Sequence, residues 1–143
     1  MTKSLKALLT QIVTRQYESV PNLIGGTTGT TNKTVASTDW VTLASGTAKF
    51  YKGRYIFFTS ATASWTQGSY QFALGLKIGS SMGGTTTTNA APQNNAPVVG
   101  FGTITVPTTG TYSWEITARV THANKPVTIP AYQTINCILF PTN

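Results

Sequence analysis

TITVPTTGTYSWEITARVT, Thr103 to Thr121, decides the fold class of this 143-residue chain. After the turn Val106-Pro107-Thr108-Thr109-Gly110, polar and apolar side chains alternate for ten residues. Tyr112, Trp114, Ile116, Ala118 and Val120 fall on one side, and Thr111, Ser113, Glu115, Thr117, Arg119 and Thr121 on the other. Successive side chains of a strand project to opposite faces, so this is a strand with one dry and one wet face. A dry face so aromatic suits a sheet packed on a second sheet.

The same pattern recurs at Gly53-Arg54-Tyr55-Ile56-Phe57-Phe58-Thr59-Ser60-Ala61, which echoes Gly110-Thr111-Tyr112-Ser113-Trp114-Glu115-Ile116-Thr117-Ala118. In both, Gly follows a turn and Tyr opens the inward face. The two are strands in related structural roles. Lys49 to Ser64 is predicted as a hairpin-like unit turning at Lys52-Gly53; Ile56 and Phe58 make the second face of its later limb apolar. That predicts a strand between two packed surfaces. Asp39 to Leu43 starts a strand broken at Gly46, and Tyr70 to Ile78 is another clean alternation. Val98 to Val106 changes phase near Gly100 and Gly102, which predicts a bulge. Val127 and Ile129 make a short strand before Pro130. Tyr132 to Phe140 is the last strand, and Ile138 and Phe140 on its second face suit a mid-sheet strand covered by a neighbouring subunit.

The predicted fold is all-β: a two-sheet antiparallel β-sandwich, a jelly roll, with one N-terminal α-helix. Residues 1–21 hold that helix, with Ser4 as cap and Pro21 as stop. Its apolar stripe is Leu5, Leu8, Leu9, Ile12 and Val13, continued by Tyr17 and Val20. A two-layer β domain needs no helix to close its core, so the stripe is read as an oligomerisation or docking surface rather than as packing on its own sandwich. Residues 22–37, rich in Gly, Thr and Asn, are predicted as a linker or extended edge segment, and 38–143 as the sandwich domain. Gly79 to Pro97 has the composition of a long functional or mobile loop.

Only 9% of residues are charged, against ~25% for an ordinary domain. Twenty-eight threonines take their place; Thr is β-branched and polar, so it holds the outer face of a strand without charge. Such a surface points to a secreted or particle-surface protein rather than a cytosolic enzyme. The net charge of +7 favours polyanions, but the ten bases are scattered along the chain. No run approaches a membrane span. The N-terminal segment lacks a small-residue cleavage site, so no signal peptide is expected. If the protein acts outside a cell, the expected exit is lysis or assembly and not the secretory route.

Catalytic chemistry is poorly supplied. The acids are Glu18, Asp39 and Glu115, the only histidine is His122 and the only cysteine Cys137. Glycoside hydrolysis needs two convergent carboxylates, and Asp39 with Glu115 would be the pair in a small glycan-active enzyme. Cys137 in an apolar strand is read as an inert buried thiol, and no metal or other cofactor is expected. Lys49, Lys52 and Arg54 interleave with Phe50, Tyr51 and Tyr55, the pattern of a basic single-strand-binding module; core packing explains those aromatics better, so nucleic acid is not the expected partner. For carbohydrate, Trp65, Tyr70 and Tyr51 are the candidate stacking residues because they sit at turns or strand ends; Trp40 and Trp114 fit the core.

Val106-Pro107-Thr108-Thr109-Gly110-Thr111-Tyr112-Ser113-Trp114, a turn then Gly-x-Tyr-x-aromatic, resembles the jelly-roll domains of the complement globular heads and tumour necrosis factor. The same pattern is similar to bacteriophage and prophage tail-fibre and head-fibre tips. The likeness covers roughly residues 38–143 in style, and its motif is short. Where the animal members carry a late Gly-Asp turn, this chain has Asn124-Lys125-Pro126-Val127, which turns the resemblance toward the viral members. It implies a homotrimeric, non-enzymatic virion protein, part of a fibre or spike, that contacts other virion proteins and a host surface glycan or anionic wall polymer. The other readings are a carbohydrate-binding module, the small glycan-active enzyme and the nucleic-acid-binding module.

Overall fold

The computed structural model describes residues 4–18, 22–66, 71–84, 86–89 and 92–142. One helix, α1 (Leu5–Glu18), precedes eleven strands: β1 (Asn22–Thr27), β2 (Lys33–Val35), β3 (Val41–Phe50), β4 (Gly53–Trp65), β5 (Gln71–Ile78), β6 (Ser81–Met82), β7 (Thr86–Asn89), β8 (Gln93–Val106), β9 (Gly110–Val120), β10 (Val127–Ile129) and β11 (Thr134–Thr142). All strand pairs are antiparallel. The expected two-sheet sandwich is what the chain forms.

In the first sheet β4 lies between β8 on one side and β11 on the other, and β1 pairs with β11 at the edge. β10 takes over beside β4 at Ser64 and carries β2. The second sheet runs β3, β9, β5, with β7 and β6 sharing the far side of β5. The last strand is therefore mid-sheet, as its two apolar faces implied. Inward residues of the two sheets make one core, among them Tyr55, Phe57, Ile104, Ile135 and Leu139 from the first and Phe50, Phe72, Leu74, Trp114 and Ile116 from the second.

The sequence echo between Gly53–Ala61 and Gly110–Ala118 has a structural cause. β3 and β4 belong to different sheets, and so do β8 and β9. The expected hairpin at Lys52-Gly53 is thus a crossing between sheets, and Pro107–Thr109 is a second one. The two crossings run side by side. Phe50 pairs with Gly110, Gly53 with Val106, and Lys52 N–H donates to Thr109 Oγ1 at 2.9 Å. Each is closed by the tyrosine of its Gly-x-Tyr. Tyr55 Oη donates to the Tyr51 carbonyl and Tyr112 Oη to the Thr108 carbonyl, both at 2.8 Å and both four residues back. A tyrosine that ties the start of a strand to the backbone upstream is a known corner device of β-sandwiches.

Three further expectations change. Residues 22–37, expected as a linker or an extended edge segment, are edge strands of the first sheet and not a linker. β1 and β2 join the first sheet, Ile24 and Val35 enter the core, and Thr28 is buried. Thr28 Oγ1 donates to the Pro130 carbonyl at 2.8 Å and accepts from Gln133 N–H at 3.1 Å. Lys33 Nζ donates to the Leu43 carbonyl at 2.7 Å, where the register of β3 slips between Thr42 and Ala44. Small polar residues here satisfy buried backbone groups, a role composition cannot distinguish from that of a linker. Much of residues 79–97, expected as a structureless loop, is strand: β6, β7 and the start of β8. The polar alternation of Thr and Asn hides a strand that apolar periodicity cannot reveal.

The third change concerns Gly100 and Gly102. β8 pairs with β4 through both without a slip, so no bulge occurs there. The inward series is Val98, Gly100, Gly102, Ile104 and Val106, while Val99 and Phe101 face solvent. A methyl group on Gly100 would stand 2.8 Å from the Leu74 carbonyl oxygen, and one on Gly102 2.7 Å from Gly84 Cα. The glycines let β8 approach the backbone of the second sheet, closing that side of the sandwich.

Gly102→Ala is therefore expected to destabilise by about 1–3 kcal/mol through overpacking, with Gly110→Ala, whose methyl would meet nothing nearer than 3.7 Å, as a mild control. Tyr55→Phe should cost about 1 kcal/mol by leaving the Tyr51 carbonyl without its donor. Urea unfolding followed by tryptophan fluorescence measures both.

Candidate functional site

The sequence candidates do not converge. Tyr51 stands before β4 and Trp65 ends it, so the length of a 13-residue strand separates them, about 40 Å at strand rise. Tyr51 is half-buried, with Lys49 Nζ 5.3 Å from its ring centre. Trp65, expected at an exposed turn, is only 4% exposed and packs into the core. The side chains of Tyr70 and Val13 lie outside the described residues. Leu5, Leu8, Leu9 and Ile12 are exposed by 76, 46, 59 and 49%, so this part of α1 covers none of the core. Ser4 caps the helix through Ala7 N–H at 3.3 Å. Phe50 and Tyr55 are buried, so the basic and aromatic interleaving at residues 49–55 is no open stacking platform.

Of the candidate acid pair, Glu115 is tied up by its neighbours. Glu115 faces outward on β9. Thr42 Oγ1 donates to it at 2.6 Å and Lys77 Nζ at 3.0 Å. The Thr42 hydrogen bond first, and then Lys77, hold its carboxyl below its ordinary value. A general acid needs the opposite shift. Asp39 is exposed in the segment before β3, where its own N–H donates to Ser37 Oγ; the side chain of Glu18 is outside the described residues. Burial pushes the Cys137 thiol up to about 11, with Thr59 opposing in part, so it is not a nucleophile at neutral pH. His122 is an exposed loop residue. Among the described residues no cluster of three or more His, Cys, Asp or Glu could hold a metal.

Trp40 is a second aromatic that sequence reasoning misplaced. It is half-buried on the outer face of the second sheet, and the Arg119 guanidinium lies 4.7 Å from its ring centre. Gly75 makes room for its ring beside Met82. Trp114, by contrast, is in the core as expected.

One recess is built by backbone irregularity. At the Trp65 end of the first sheet, Ala63 pairs with Ala96 but Trp65 with Gln93, so β8 carries one extra residue. Asn95 takes up the strain in the left-handed region, φ 53°, which Asn tolerates better than most residues. Its N–H donates to Ser64 Oγ at 2.9 Å, and Ser64 Oγ donates to Asn94 Oδ1 at 3.0 Å. The result is an open cleft of about 230 Å³ between Ser64, Trp65, Thr66, Asn94, Pro126 and Thr128. Its lining offers hydroxyls, an amide and an aromatic floor, without a charge. Bulges commonly re-aim side chains beside binding sites. Sequence gave no sign of Asn94, because an extra residue in a polar strand leaves no apolar phase change.

No protein-family model and no curated protein matches the chain by sequence. Solved structures do. The CBM36-1 domain of a multidomain xylanase from the hindgut metagenome of Trinervitermes trinervoides is similar at TM-score 0.54 and 14% identity, over 87% of this chain and 99% of that one. The likeness is one of fold: a β-sandwich. Infectious bursal disease virus, Gx strain, gives TM-score 0.43 and 10% identity over 85% of this chain and 36% of that one. The mosquito-larvicidal Cry4Aa toxin of Bacillus thuringiensis gives 0.41 and 11% over 86% and 24%. At those scores neither bears on fold or function. No helix among the described residues is long and apolar enough to cross a membrane.

Glu115→Gln tests how the acid is engaged. At neutral pH the loss should be below about 1 kcal/mol, since the pair is partly exposed. The folded carboxyl titrates below the unfolded one, so its contribution is full above the unfolded value and vanishes as pH falls through the folded value. Urea stabilities of variant and parent should converge in acid.

Proposed function

We propose that this chain is a non-enzymatic, homo-oligomeric surface protein of a virus particle, a phage fibre or spike component that attaches to a bacterial surface polymer. The observation that carries the binding role is the uncharged cleft at the β4–β8 bulge. Uncharged hydroxyl and amide groups around a recess suit a neutral polyhydroxyl ligand. Ser64, Thr66, Asn94 and Thr128 supply the hydrogen bonds, and Trp65 supports the floor rather than forming an open platform. The engagement of Glu115 with Thr42 and Lys77 supports a role without chemistry, as does the carbohydrate-binding module whose fold the chain shares. The Thr-rich, charge-poor surface and the phage-type corner motif support the particle setting, in which a trimer contacting other virion proteins is the expected assembly.

The second reading is an anionic wall polymer held by the net charge of +7. The two differ in salt dependence, because exposed charges are screened and a neutral sugar is not. The test is a glycan-array and whole-cell binding screen with the intact protein, run at low and high salt with product release monitored. Binding that survives salt, falls about tenfold or more in Asn94→Ala, as for a lost hydrogen bond to a ligand, and releases no reducing ends is the expected result. Binding lost in salt favours the wall polymer. Release of reducing ends, abolished by Glu115→Gln, would establish an enzyme instead.

A further inference from the structure

The outer face of the first sheet is apolar where a free sandwich would be polar. Leu23 pairs with Ile138, Ile138 with Phe58, and Phe58 with Phe101, so one apolar row crosses four strands, β1, β11, β4 and β8. Beside it Phe140 pairs with Ile56, and Val99 with Ser60. Phe58 touches both Phe101 and Phe140, with ring centres 6.4 and 6.1 Å apart. Yet Leu23 is 71% exposed, Phe101 53%, Val99 49%, Phe58 44%, Phe140 40% and Ile56 38%. A shallow groove of about 280 Å³ opens between Leu23, Phe58, Val99 and Ile138.

We infer that this face is the contact by which a second copy of the chain binds. Three observations select that occupant. First, size. The six side chains leave roughly 500–600 Å² of apolar surface open, at the top of what a monomer ordinarily shows. Second, composition. The centre is Phe, Leu, Ile and Val, and the surrounding outward residues are Ser60, Thr103, Asn136 and Thr142, an apolar core with a polar rim. Third, charge. Arg54, at one end of β4, is the only charged residue among the outward positions of these four strands. Two copies each carrying +7 meet least repulsion where the charges are missing. An acidic foreign partner would be drawn to the basic remainder and not to this face.

The inference deepens the oligomeric reading above and is independent of the cleft. Its test is light scattering on the full chain across micromolar concentrations. The parent should show an integral multiple of 15.2 kDa. Phe58→Glu with Phe101→Glu should weaken association about a hundredfold or more, because like charges then face each other across the contact. Both side chains lie outside the core, so circular dichroism and the melting profile of the double variant should stay folded. Ser113→Glu, on the outer face of the other sheet, should leave the mass unchanged. A parent that is monomeric throughout overturns both this inference and the oligomeric reading. A folded double variant that keeps the parental mass overturns the assignment of the face alone.

Discussion

The fold depends on two chain crossings that brace each other. Residues 50–53 and 106–110 carry the chain from one sheet to the other at the same end of the sandwich, and they pair there as neighbours. A crossing takes backbone out of a ladder and must satisfy its groups some other way. Here Lys52 N–H finds Thr109, and each crossing has a tyrosine hydroxyl returning to the carbonyl four residues before it. Phe50 and Tyr112 meet edge to face with ring centres 6.4 Å apart, so apolar packing joins the corners too. β4 and β9, the strands leaving these corners, are the hubs of their sheets: β4 pairs with β8, β10 and β11, and β9 with β3 and β5. Their register sets that of every strand alongside.

From that bracing follows a division of surfaces. The outer face of the second sheet carries Glu115, Lys77, Arg119 and Trp40, all engaged with one another or with the sheet beneath. The outer face of the first sheet has no such cover, and its aromatics stand open. The bulged end of β4 and β8 makes a third kind of surface, recessed and uncharged. The sandwich thus presents separate surfaces of different chemistry.

Some of this was legible in the residues. Strict alternation in Tyr112–Val120 and in Tyr55–Ala63 identified strands and their dry faces. The double apolar face of β4 and β11 was legible too, but the second packed surface expected from it is absent within the chain, where Ile56, Phe58 and Phe140 stand exposed. Less legible were the segments made of Thr, Asn and Gly. β1, β2 and β7 have too few apolar residues for periodicity to show, and they are strands because β11, β10 and β5 offer them unpaired edges. The phase change expected near Gly100 and Gly102 is not one: Val99 and Phe101 are outward residues in phase, and the two glycines are inward positions.

By itself, then, the sequence determined the class of fold, the inward faces of the hub strands and the poverty of its catalytic groups, because alternation and composition are local properties. Tertiary structure alone decided that Gly100 and Gly102 are contact points between sheets, that Trp65 is buried while Trp40 is not, and that Asn94 reaches a cleft. Those depend on which backbone comes near which, and on where one extra residue enters a ladder. Neither leaves a mark on the spacing of apolar side chains.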